Sequence, residues 1–114
     1  MNSTMTQPAI NGKPLQIVAT AGFNEKYGGL EAHLYIKEAL SALEKHPVDM
    51  LVFEMADDIH MQIRSAGYDL ATDSKIDETT ILMKTESLPI EKFFFKLDDY
   101  GDRYVGTFLF PSEW

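Results

Sequence analysis

The segment from Ile90 to Phe110 constrains the fold more than any other. IEKFFFKL and RYVGTFLF have the aromatic and β-branched content of strands, and they flank DDYGD, whose Asp and Gly residues suit a turn. Together they predict a β-hairpin. On its first strand the two-residue period places Phe93, Phe95 and Leu97 on one face and Ile90, Lys92, Phe94 and Lys96 on the other. Phe94 therefore sits between two lysines on the wet face. Gly106, in the middle of the return strand, predicts a bulge or an aromatic ring lying over the backbone, and Pro111 closes the sheet near Trp114.

Upstream, LQIVATAG (15–22) reads as a strand and GFNEKYGG (22–29) as a loop punctuated by Gly28 and Gly29. From Leu30 to Lys45, Ala32, Ile36, Ala39 and Leu43 recur at helical spacing, flanked by Tyr35, Leu40 and Ala42. Leu30 and Leu34 fall on the charged side of that helix, near Lys37 and Ser41. Pro47 ends it, and the next segment fits two readings. A helix from Val48 to Ala66 gathers Val48, Leu51, Val52, Met55, Ile59, Ile63 and Ala66 on one face, with Gly67 as its stop. Alternatively, VDMLVFEM (48–55) is a buried strand with a shorter helix after it, from Asp57 or Asp58. YDLATDSKIDE (68–78) reads as a loop, TTILMK (79–84) as a strand, and Pro89 separates that strand from the hairpin.

The expected architecture is α+β, with two helices packed on one face of a mostly antiparallel four-stranded sheet (β-α-α-β-β-β) and residues 48–55 as a fifth strand in the variant. Residues 1–13 are expected as a flexible N-terminal tail and 14–114 as a single domain. A chain of 114 residues with 45% hydrophobic and 25% charged side chains supports an ordinary core. It has no cysteine, which excludes disulfides, thiolate nucleophiles and cysteine-ligated zinc. The opening MNSTMTQPAINGKP has neither a basic start nor an apolar stretch, and no later run approaches the length of a membrane span, so a soluble cytoplasmic protein is expected, with no membrane partner.

Eighteen acidic against ten basic side chains give a net charge of −8. That field repels phosphate backbones, which disfavours direct nucleic-acid binding, and favours a basic protein surface as partner.

EMADDIHMQIRSAG (54–67) concentrates the candidate chemistry. As a helix it would make Asp57 a neighbour of His60 and Met61, and Asp57-x-x-His60 has the carboxylate–histidine spacing of bundle metal sites. Such sites need further carboxylates and a second such pair, and neither His33 nor His46 supplies one, so no metal and no cofactor is expected. An acid/base site around Glu54, Asp57 and His60 is the catalytic alternative, in a small enzyme or ligand-binding domain. No serine lies in a nucleophile elbow, and the glycines before Leu30 lack phosphate-loop spacing, so no catalytic residue is assigned. The helix reading instead puts Met50, Phe53, Asp57, His60, Met61 and Arg64 on one outer face, a mixture of apolar anchors and charge that suits docking. Asp98, Asp99, Tyr100 and Asp102 at the hairpin tip form the second candidate contact. These features predict an acidic protein-binding module or inhibitor, directed at a nucleic-acid-binding or nucleic-acid-processing protein, of phage counter-defence or toxin-immunity type.

Overall fold

The computed structural model describes residues 8–84 and 90–114, with only the backbone of 80–84 described. Residues 1–7 of the tail expected over 1–13, and the break expected at Pro89, lie outside the described residues.

The order of elements is β1 (Ala9–Ile10), β2 (Lys13–Ala19), α1 (Ala21–Lys26), α2 (Leu30–Lys45), β3 (Met50–Met55), β4 (His60–Tyr68), β5 (Lys75–Lys84), β6 (Phe93–Asp99) and β7 (Tyr104–Leu109). The strands form one seven-stranded mixed sheet, β1-β2-β7-β6-β3-β4-β5, curled into a half-barrel. This overturns the expected four-stranded sheet. The one parallel pair among the described residues joins β2 to β7, with Leu15 opposite Tyr104 and Ala19 opposite Phe108. β1 lies inside the segment read as tail and pairs antiparallel with the start of β2.

The largest correction concerns residues 48–68. The helix from Val48 to Ala66 does not form, and neither does the shorter helix from Asp57; β3 and β4 make a hairpin instead, with Leu51 opposite Ser65 and Phe53 opposite Ile63. Leu51 and Phe53 on β3, and Met61, Ile63 and Ser65 on β4, are all buried, at the two-residue spacing of a strand. The same residues carry enough apolar character at helical spacing to mimic an amphipathic helix. Pairing of β3 with β6, Phe53 opposite Phe93 and Leu51 opposite Phe95, settles the contest in favour of the sheet.

Two loops are also corrected. Within 22–29 the chain first completes α1, which begins after Thr20 because the threonine Oγ1 accepts a hydrogen bond from the Phe23 N–H at 3.3 Å. The turn after β4 ends at Ser74, so that 75–78, read as loop, opens the edge strand β5. The helix over 30–45 forms as expected, burying Tyr35, Ala39, Ala42 and Leu43.

α1 and α2 cover the sheet face that carries Leu51, Phe53, Ile63, Phe93, Phe95 and Phe108. The core there is aromatic: Phe93 stacks on Phe53 at 4.6 Å between centroids and meets Phe23 of α1 and Tyr35 of α2, each at 5.0 Å. Ile90, read onto the wet face, is buried in this same cluster because it lies ahead of β6 and escapes its alternation. The opposite face carries Val52, Glu54, Gln62, Arg64, Phe94 and Lys96. Trp114 returns over it, edge-on to Phe94 at 5.7 Å.

Ser65 is the exception in the core. It is fully buried, and its hydroxyl finds no hydrogen-bond partner among the described residues. An orphaned buried hydroxyl keeps its desolvation cost with no compensating bond. Ser65→Ala should therefore raise the unfolding free energy by about 1 kcal/mol, read from the urea midpoint. A loss of stability would show that the hydroxyl has a partner.

The C-terminal turn is clasped to the start of α1. The Glu113 carboxylate accepts from the Phe110 N–H at 2.8 Å and the Thr20 hydroxyl at 2.7 Å. Those two donors, the Phe110 N–H foremost, hold its carboxyl below the ordinary value of 4.5. A carboxyl depressed on folding adds stability above its unfolded pKa and loses it as pH falls through the folded value. Glu113→Gln should thus be less stable than the parent at neutral pH, with the gap closing as pH falls below the ordinary carboxyl range and through the lowered folded-state value. Denaturant melts across that range test this, and a constant gap would contradict it.

Candidate functional site

EMADDIHMQIRSAG spans the end of β3, the turn and most of β4, and Glu54, Asp57, His60, Gln62 and Arg64 are bonded within the fold. Glu54, at the end of β3, accepts from Gln62 Nε2 at 2.8 Å and Arg64 Nε at 3.0 Å. Arg64 also donates to Asp77 at 3.2 Å, and Lys92 lies 4.0 Å from Glu54. Burial pushes the Glu54 carboxyl up, but the bonds from Gln62 and Arg64 and the nearby cations outweigh it and hold the group below its ordinary range. Glu54 is thus a locked carboxylate, the reverse of what a general acid requires.

Asp57 shapes the turn. Its Oδ1 accepts from the backbone N–H of Ile59 at 2.9 Å and of His60 at 2.8 Å, while His60 Nδ1 lies 3.0 Å from both carboxylate oxygens. The Ile59 N–H and then the His60 ring hold the Asp57 carboxyl down. This is an Asx turn with a histidine leaning on it. Among the described residues no group of three His, Asp or Glu side chains is placed to hold a metal. His46 pairs separately with Glu78 at 3.1 Å.

The outer face that the helix reading assembled is dispersed. Phe53 and Met61, 0% and 2% exposed, belong to the core, so their surface placement is corrected. Met50 and Arg64 lie on the open sheet face, whereas Asp57 and His60 sit at the β3–β4 tip. Nor does that tip meet the second candidate. β3 and β6 run antiparallel, with Phe53 opposite Phe93 and Met50 opposite Lys96, so the β6–β7 tip lies at the other end of the sheet.

The β6–β7 tip is built tightly. Asp99 Oδ1 accepts from the Gly101 N–H and from Lys13 Nζ, both at 2.8 Å, and Gly101 takes a positive φ of 91° that suits glycine. The Tyr100 N–H donates to the Arg103 carbonyl at 2.8 Å. The Arg103 guanidinium lies 5.3 Å from the centroid of the Tyr100 ring while donating to Asp102 and Gln16, each at 3.0 Å. Lys13, first of all, holds the Asp99 carboxyl below its ordinary range. The result is a tyrosine, 59% exposed, on a turn that also carries Asp98, Asp99 and Asp102, each paired with a cation of the fold: Asp98 with Lys96 at 3.4 Å, Asp99 with Lys13 and Asp102 with Arg103.

Two exposed rings escape the sequence reading. Tyr68 (50% exposed) and Trp114 (64% exposed) flank a crevice of about 250 Å³ on the open face, floored by Met50, Ala66 and Gly67 and bordered by Lys96. Lys96 Nζ stands 4.9 Å from the Trp114 ring centroid. The signal for it is Phe94 between Lys92 and Lys96, an aromatic on a wet face that needs a cover. A larger crevice, about 390 Å³, runs between β1 and α2, lined by Ile10, Leu40, Leu43 and Glu44 among others. Among the described residues no helix is long and apolar enough to cross a membrane. No family model, curated protein or solved structure matches the chain.

Proposed function

We propose that the chain is a small acidic protein-binding module, an inhibitor that docks on a basic surface of a partner such as a nucleic-acid-binding or nucleic-acid-processing protein. One observation carries the reading: Tyr100 stands exposed on a hydrogen-bonded β6–β7 turn that also carries Asp98, Asp99 and Asp102, with the Arg103 guanidinium 5.3 Å from its ring centroid. Ordering an interface loop costs free energy on binding, and a tip already ordered avoids that cost. Tyrosine is a favoured anchor at interface centres, and a rim of carboxylates steers a cationic surface toward it. The net charge of −8 acts in the same direction over longer range.

The test is capture from lysate and then titration of the purified partner, comparing the parent with Tyr100→Ala and with the Asp98→Lys/Asp102→Lys double variant. Asp99 is left intact because it builds the turn. Tyr100→Ala should weaken binding of a captured basic protein tenfold or more, about 1.4 kcal/mol, and the double variant should slow association most at low salt. Thermal unfolding of both variants should stay within about 0.5 kcal/mol of the parent, as for exposed substitutions generally. Capture of no basic protein, or equal capture by all three chains, would overturn the reading.

A further inference from the structure

We draw no further inference here: the strongest candidate, the edge of β2 at Ile17 and Ala19, which has no strand partner among the described residues beyond β7 and opens onto an apolar crevice shared with Phe23, Ala32 and Ile36, carries none because nothing in the structure shows what covers it.

Discussion

Phe93→Ala should lower the unfolding free energy by about 4 kcal/mol. Phe93 is fully buried and is the ring through which most of the core meets. It stacks on Phe53, contacts Phe23 and Tyr35, and lies within 6.0 Å of Tyr27 and Phe108. Its removal therefore opens a space bounded by both helices and by strands β3 and β7. Those walls are themselves rings held by hydrogen-bonded backbone, so they collapse little, and the cavity adds to the lost transfer free energy. For a domain whose total stability is of order 5–15 kcal/mol, the variant should be partly unfolded at modest denaturant. Equilibrium urea unfolding monitored by circular dichroism checks this. A loss below about 1 kcal/mol would mean that the rings rearrange freely and that the core is less closely packed than the ring contacts imply.

The second large effect is expected at Gly106. Its neighbour across the sheet is Leu97, but the ring of Phe95 lies directly over its Cα, and a Cβ at 106 would collide with that ring. Of the two outcomes that the glycine predicts, the ring over the backbone is the one found. Phe95 cannot easily withdraw, because its other side packs on Phe108 at 4.5 Å. Gly106→Ala should thus cost about 2–3 kcal/mol through overpacking, despite the better strand propensity of alanine. The mechanism makes a sharper claim than the magnitude. Phe95→Leu removes the obstructing ring edge, so Gly106→Ala should cost about 1 kcal/mol less or better in the Phe95→Leu background than in the parent. Strictly additive effects in that double-mutant cycle would place the cost of Gly106→Ala in the backbone and contradict the steric account.

These two positions show which parts of the fold can be read in advance. The alternation of Phe93, Phe95 and Leu97 against Phe94 and Lys96 is a local pattern, and burial of the first three obeys it. The helix over 30–45 is equally legible, since its apolar residues recur at 3.6-residue spacing without competition from a two-residue period. Residues 48–68 satisfy both periods. Val48, Leu51, Val52 and Met55 outline a helical face, yet Leu51 and Phe53, then Met61 and Ile63, outline two strands. Only the neighbour decides between them, and that neighbour, β6, lies some forty residues further along the chain. KIDE at 75–78 has weak strand propensity and reads as loop. It pairs because it is the edge of a sheet already organised by β4, where charged side chains are tolerated and useful.

The candidate site divides the same way. Asp98, Asp99, Tyr100 and Asp102 are close in sequence on a turn, so their grouping survives folding whatever the rest of the sheet does. Met50, Phe53, Asp57, His60, Met61 and Arg64 are grouped only by an assumed helix. With the helix replaced by a hairpin, alternate side chains point to opposite faces, and Phe53 and Met61 move into the core while Arg64 joins Glu54 and Asp77 on the open side.

Local sequence was enough for the hairpin at 90–110, the helix at 30–45 and the grouping of acidic residues at the tip, because each rests on a short-range pattern, whereas it left Gly106 open between a bulge and an overlying ring until the pairing of β6 with β7 placed Phe95 there. Long-range pairing set the seven-strand order, the parallel alignment of β2 with β7 and the strand identity of 50–55 and 60–68. Those depend on cross-strand partners such as Leu15 and Tyr104, and a backbone ladder accepts any partner whose side chains fit the shared face, a match that no local period encodes.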